Sequence, residues 1–212
     1  MTADRAAEEF RLMAEPELTQ LPALERIGPL ASRRHTMEWP WHEGEDVPGH
    51  LKVVQSWGWL FIPDGRCIVL IDTVHMLPVL PGGSVEDEDN NDPVATLERE
   101  AAEEAQLALG PAHYLGYLHD ETSDAYDGIG PRARVRMAAS VTRIGASAID
   151  PATGSTMIRL LTAPHRIVEL FGWGEQGRRQ ADTAIRAARD LWGYPEASSS
   201  AVSEIPLEGG WL

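Results

Sequence analysis

Pro81-Gly82-Gly83-Ser84-Val85-Glu86-Asp87-Glu88-Asp89-Asn90-Asn91-Asp92-Pro93-Val94-Ala95-Thr96-Leu97-Glu98-Arg99-Glu100-Ala101-Ala102-Glu103-Glu104-Ala105-Gln106-Leu107 reads as a glycine turn, an acidic loop and a helix in one run. Asp92 is a good N-cap and Pro93 suits the first helical position. Val94, Leu97, Ala101 and Ala105 recur at helical spacing and form the stripe expected to be buried. Gly110-Pro111 is the predicted stop. Glu100, Glu103 and Glu104 stand at i, i+3 and i+4, off that stripe and on one face. Three crowded carboxylates repel, and a bound divalent cation removes that cost. Mg²⁺ prefers oxygen ligands and works beside phosphate oxygens. A generic glutamate triplet is more often a solvated acidic face. The glycine pair before the helix and the aligned Arg99 shift the balance towards a metal site.

On the N-terminal side of this run, residues 51–62 have the composition of a strand, with Val53, Val54, Trp57, Trp59, Leu60, Phe61 and Ile62. Pro63-Asp64-Gly65-Arg66 is a turn, and 67–72 is the returning strand of a hairpin. On the C-terminal side, 112–119 and 133–144 read as strands joined by the loop from Asp120 to Pro131. A loop at 149–154 precedes a strand at 155–162. Pro164 opens a short helix through Phe171, and a longer helix covers about 175–192, with Ala181, Ala184, Ile185, Ala188, Leu191 and Trp192 on its apolar face. Residues 2–14 suit a short helix, after which Pro16, Pro22 and Pro29 interrupt regular structure. The segment 36–50, containing Trp39-Pro40-Trp41-His42-Glu43, is a loop or edge segment. Its aromatics either stack on a ligand base or pack an N-terminal arm onto the core. The expected organisation is an arm at 1–49, a domain with a C-terminal helix at 50–193, and a mobile tail at 194–212.

Composition narrows the function classes. The formal net charge is −15, which argues against a nonspecific binder of nucleic-acid polymers or anionic membranes. A small anion held through metal ions stays compatible with that charge. The single cysteine, Cys67, excludes an intrachain disulfide and fits a reducing, cytoplasmic setting. It lies in the apolar run Cys67-Ile68-Val69-Leu70-Ile71, so packing is favoured over nucleophilic catalysis. No signal peptide or membrane-spanning stretch is expected.

The segment Gly82 to Leu107 resembles the Nudix box, the signature of the Nudix hydrolases, G-x5-E-x7-R-E-U-x-E-E-x-G-U with U a bulky aliphatic residue. Arg99, Glu100, Glu103 and Glu104 fall on R-E-x-x-E-E, and Leu107 falls on the last aliphatic position. The order of elements agrees with the family over roughly 50–172. The resemblance implies an α/β fold, an α/β/α sandwich with a mixed sheet. It implies Mg²⁺ (or Mn²⁺) held by Glu100, Glu103 and Glu104, which would also be the catalytic residues. The structural part of the box would be Gly82, Gly83 and Arg99. Three departures stand out. Asn91 falls where the family has its first glutamate, in a loop two residues longer than the pattern. Glu88 or Asp89 is then the carboxylate expected to pair with Arg99. Gln106 replaces the box glycine, which would let the helix run on to Gly110. Ala101 replaces a larger aliphatic residue.

Outside the box, Arg132, Arg134 and Arg136 alternate along one strand and share a face. Arg134 and Arg136 are candidate phosphate ligands, with surface ion pairing as the plainer alternative. The family often draws a further acidic group from a distant loop, and Glu121, Asp150, Asp120, Asp124 and Asp127 are the candidates. His119 beside Asp120 is a weak candidate base. Arg178, Arg179, Arg186 and Arg189 read as a solvated helix face.

The expected function is divalent-metal-dependent hydrolysis of a diphosphate linkage in a nucleoside diphosphate derivative or related compound. The expected partner is a small diphosphate-containing substrate, and a homodimer is compatible with the sequence. The main rival is a catalytically weak or inactive protein of the same fold that binds a ligand or a partner, suggested by Asn91. A plain acidic α/β scaffold is the third reading.

Overall fold

The computed structural model describes residues 39–72, 77–121, 130–149, 154–197 and 201–209. The helix expected at 2–14, and the candidates Asp124, Asp127 and Asp150, lie outside the described residues.

The hairpin read from the sequence forms β2 (Lys52–Phe61) and β3 (Cys67–Asp72), joined at Phe61↔Cys67. They sit in the middle of a sheet with the order β1-β7-β8-β2-β3-β9-β10. The other members of that path are β1 (Trp41–Glu43), β7 (His113–Asp120), β8 (Arg132–Ile144), β9 (Ile158–Thr162) and β10 (Ser203–Glu204). Short strands β4 (Leu77–Val79), β5 (Gly82–Ser84) and β6 (Leu107–Leu109) pair with β3, β2 and β8. β2 and β8 run parallel while the remaining pairs are antiparallel, so the sheet is mixed.

Alternation along the central strands gives the sheet two apolar faces. Leu60, Ile62, Val135 and Met137 meet Leu97, Ala101 and Ala105 of α1 (Pro93–Ala105). Trp59, Phe61, Val69 and Ile71 meet α2 (Pro164–Phe171) and α3 (Gly174–Trp192) through Ile167, Phe171, Ala181 and Ala184. The result is the α/β/α sandwich expected from the sequence. Among the described residues no helix is long and apolar enough to cross a membrane.

Two expectations change. α1 stops at Ala105 rather than Gly110, because Gln106 takes a left-handed conformation (φ 54°) and donates its N–H to Ala101 O. Its side chain makes this affordable, donating from Nε2 to Glu103 O and accepting from Ala148 N–H. The chain then turns directly into β6. The segment expected to be a mobile tail carries β10, which pairs antiparallel with β9, and Val202 and Ile205 are buried. Arg159 on β9 holds this segment by donating to Pro206 O.

Candidate active site

The N-terminus of α1 is built as the sequence predicts: Asp92 accepts a hydrogen bond from Val94 N–H at 2.9 Å, with Pro93 beginning the helix. Arg99 then reaches back across the acidic loop. Its Nε donates to Asp89 Oδ1 at 3.0 Å and its Nη2 to Asp89 Oδ2 at 3.0 Å, a forked pair. A further Nη2 bond to Ser84 O, 3.0 Å, ties the helix to the end of β5. Of the two carboxylates expected to compensate for Asn91, Asp89 is therefore the one in close contact. Glu88 lies farther, at 3.6 Å.

Local chain geometry explains how a residue ten positions before Arg99 takes this place. Residues 87–89 form a single 3-10 turn, with Glu86 N–H donating to Asp89 Oδ2 at 2.9 Å. Asn90 and Asn91 follow, both left-handed (φ 53° and 60°). Asparagine tolerates that region better than most side chains. The paired left-handed residues loop out the two extra positions and carry Asn91 past the arginine. Thr96 Oγ1 completes the cradle by donating to Asp89 Oδ2 at 2.8 Å. Asp89 is only 3% exposed.

These bonds set the acidity of Asp89. Hydrogen bonding from Arg99, then from Glu86 and Thr96, outweighs burial and holds its carboxyl at about 2, against an ordinary 3.8. A carboxylate depressed in the fold stabilises it fully above its unfolded value, and that stabilisation is lost as pH falls through the folded value. The difference corresponds to about 2 kcal/mol. Asp89→Asn should therefore lower stability to urea by about 2 kcal/mol at pH 6. The gap between variant and parent should close between about pH 4 and pH 2. A gap that stays constant down to pH 2.5 would show that Asp89 is not held ionised by Arg99.

Two of the three glutamates, Glu100 and Glu103, stand around the same arginine. Glu100 Oε1 lies 3.1 Å and Glu103 Oε2 lies 3.3 Å from Arg99 Nη1. The Glu100 carboxylate leans over Gly83, where a Cβ would overlap it. Gly82 is needed for a different reason: its φ is 138°, and a Cβ there would run into the backbone at Ser56 and Trp57. Burial pushes the Glu100 carboxyl up, opposed by Arg99 and reinforced by Glu103. Among the described residues no three His, Cys, Asp or Glu side chains are gathered tightly enough to hold a metal ion as they stand. The donor chemistry nevertheless suits a hard cation: three carboxylates on adjacent turns, one of them desolvated against a glycine strand.

The arginines of β8 divide. Arg132, Arg134 and Arg136 lie on one side of the strand, as the alternation predicts. Arg134 Nε and Nη2 donate to buried Asp120 at 2.9 and 2.7 Å, and Nη1 bonds Gln55. Its guanidinium lies 4.4 Å over the Trp39 ring. Arg136 is buried, with Nε donating to Gln180 Oε1. Asp120 is thus an arginine partner rather than a free acid. Glu121 is exposed at the end of β7. Trp41–Glu43 form edge strand β1 on β7, so this stretch packs onto the sheet.

Two cavities share Gln55 and Arg134 as a common wall. One, about 250 Å³, is polar, lined by Lys52, Ser84, Val85 and Arg132 among others, and reaches the box loop at Ser84. The other, about 170 Å³, is walled by Trp39, Trp57 and Trp173 with Arg136. The sequence reading missed Gln55, Trp57 and Trp173 as cavity residues. For Trp57 the signal, aromatics alternating along β2, is indistinguishable from core packing, and Gln55 and Trp173 carry no local signal.

No family model matches the sequence, and no curated protein matches it. Solved structures do match. A Nudix hydrolase from Nitrosomonas europaea is 14% identical, covers 69% of this chain and 99% of its own, and has a TM-score of 0.46. The E. coli ORF135 protein is 17% identical over 68% of this chain and 96% of its own, TM-score 0.43. A mutant of the Bacillus subtilis pyrophosphohydrolase BsRppH is 16% identical, TM-score 0.38, with the match covering 51% of this chain and 63% of that one.

Proposed function

We propose that this protein is a divalent-metal-dependent hydrolase of the Nudix type, cleaving a diphosphate linkage in a nucleoside diphosphate derivative in the cytoplasm. The observation that carries the reading is the Asp89–Arg99 clamp. The one conspicuous gap in the box, Asn91, is filled by a different carboxylate that makes a forked, buried pair with the box arginine. The replacement fills the gap at Asn91 that motivated the rival reading, and the substrate panel below decides between the two.

Glu100, Glu103 and Glu104 would hold Mg²⁺ or Mn²⁺, which supplies neutralisation of the diphosphate charge and an acidified bound water. Arg99 sets the helix against the loop: its bonds to Asp89 and Ser84 O fix where the three carboxylates stand relative to β5. Gly83 leaves room for Glu100 at the strand. Lys52, Arg132 and Arg134, in the cavity that reaches Ser84, supply positive charge for phosphate oxygens in a protein whose net charge is −15. Positioning and charge stabilisation carry most of the rate in phosphoryl chemistry.

The test is release of phosphate or nucleoside monophosphate from a mixed panel of nucleoside diphosphate derivatives, with Mg²⁺, with Mn²⁺ and with EDTA. Turnover with metal and none with EDTA is the expected result. Absence of turnover across the panel with either metal would favour the ligand-binding rival. Gly83→Ala should push the Glu100 carboxylate off the strand and lower kcat by about tenfold to a hundredfold, the scale of an ångström-sized misplacement. Its unfolding midpoint should stay near the parent's, since the clash is with a flexible side-chain end. An unchanged kcat would remove Glu100 from the site.

A further inference from the structure

Arg136 is a buried cation. It is 6% exposed, and among the described residues no carboxylate pairs with it. Burial and the nearby Arg134 push its guanidinium down to about 9, so it remains charged at neutral pH. Placing such a charge in the interior is costly unless something compensates it. A guanidinium has five N–H donors. Nε is committed to Gln180 Oε1 at 3.0 Å and one Nη1 donor to Val135 O at 3.1 Å. The Nη1/Nη2 edge retains the donors for a two-pronged contact, on a residue that lines the aromatic cavity.

The rest of that cavity selects for a flat ring. Trp39, Trp57 and Trp173 supply indole walls, and each is fixed. Trp57 Nε1 donates to Gln55 Oε1 at 3.1 Å, Arg134 covers Trp39, and Trp173 packs on Phe171 with ring centroids 5.2 Å apart. At about 170 Å³ the space is below the range of drug-sized sites, and suits a single ring system. Arg134 and Gln55 separate it from the larger polar cavity that carries Lys52 and Arg132 and touches Ser84. Pro78, Val79 and Leu80 of its wall run straight into Pro81-Gly82-Gly83, so the ring site adjoins the box loop.

We propose that the cavity walled by Trp39, Trp57 and Trp173 is a guanine site, in which the Arg136 fork reads the adjacent O6 and N7 acceptors of the base. The preferred substrates are then guanosine diphosphate derivatives. The assignment follows from hydrogen-bond chemistry. Guanine presents two acceptors side by side on that edge, whereas adenine presents N7 beside an N6 donor, which opposes a guanidinium. This deepens the hydrolase reading by naming its substrate class, but it is measured without turnover.

The experiment is calorimetric titration of the full chain with GMP, AMP and the monophosphate of 7-deazaguanosine, in EDTA so that no metal-dependent step intervenes. GMP should bind at least about tenfold more tightly than AMP, the scale of one forked base contact. The deaza compound, which lacks only the N7 acceptor, should lose most of that advantage. Arg136→Lys keeps the charge and removes the fork, and should bring GMP and AMP within about threefold of each other. Equal affinities in the parent protein, no binding of either nucleotide at millimolar concentration, or full retention of affinity by the deaza compound would each overturn the guanine assignment. The deaza comparison needs no variant, so it stands if Arg136→Lys fails to fold. Metal-dependent hydrolysis of the panel without guanine preference would overturn this inference and leave the hydrolase reading intact. Guanine preference without hydrolysis would do the reverse.

Discussion

Exchange of Glu104 for glutamine is expected to slow metal-dependent turnover by a hundredfold or more while leaving the fold in place. The amide keeps the size of the side chain and removes one negative charge from the set Glu100, Glu103 and Glu104. Loss of a charged ligand weakens charge stabilisation of the diphosphate by several kcal/mol, and each 1.4 kcal/mol or so is tenfold in rate. Helix α1 is secured from its other side by Leu97, Ala101 and Ala105, all buried against the sheet, so the variant should unfold near the parent's midpoint. The rate should be measured on the best substrate of the panel at saturating Mg²⁺. Unchanged kcat would remove Glu104 from the mechanism.

The largest effect on stability is expected at Arg159, a residue that no motif or periodicity singles out. It lies in β9, 1% exposed, and its guanidinium acts as a backbone staple. Nη1 donates to Ala105 O at 3.0 Å and to Gly145 O at 2.7 Å, and Nη2 to Pro206 O at 2.8 Å. Ala105 is the last residue of α1, so the cation also sits at the negative end of that helix. Three segments distant in sequence thus depend on one side chain: the end of the box helix, the end of β8 and the segment after β10. In Arg159→Met three carbonyls lose their donor, the one at buried Ala105 at a cost of about 1–3 kcal/mol and those at half-buried Gly145 and exposed Pro206 at about 0.5–1.5 kcal/mol each, as for an ordinary hydrogen bond. Removing the buried charge offsets part of this. A net loss of about 3 kcal/mol in urea unfolding is expected. Residues 201–209 should become accessible to proteases before the domain unfolds. A variant as stable as the parent, with the segment still protected, would contradict the staple.

The parts of this architecture that are local in sequence were legible in it. The Pro63-Asp64-Gly65-Arg66 turn, the Asp92-Pro93 helix start and the apolar stripe of α1 each depend on neighbours a few residues away, and backbone preferences fix them. The forked pair on Arg99 was legible to the level of two adjacent carboxylates. Choosing Asp89 over Glu88 depends on the 3-10 turn and the two left-handed asparagines, whose geometry follows from the folded loop.

What stayed illegible depends on distant partners. Gln106 in place of a glycine predicts that α1 continues, because a left-handed glutamine is disfavoured in isolation. Its bonds to Glu103 O and Ala148 N–H compensate, and the second comes from 42 residues away. The segment after 194 has a composition typical of a tail, and nothing within it announces that Arg159 and β9 hold Ser203–Glu204 in the sheet. The pocket residues failed for a related reason. Trp57 on β2 has the same alternation as Trp59 and Phe61 beyond it, and only the cavity separates a ligand wall from a core residue. Arg132, Arg134 and Arg136 share one face, as alternation predicts, yet Arg132 and Arg134 both face Asp120 while Arg136 bonds Gln180.

Everything proposed for the reaction depends on whether the face of α1 carrying Glu100, Glu103 and Glu104 binds a divalent cation. The most direct measurement is Mn²⁺ binding followed by electron paramagnetic resonance, on the full chain and on the triple variant Glu100→Gln, Glu103→Gln, Glu104→Gln, with no nucleotide present. Saturable binding to the parent protein, competed by Mg²⁺ and lost in the triple variant, is the expected result. Equal binding by both proteins, or none by the parent, would contradict it.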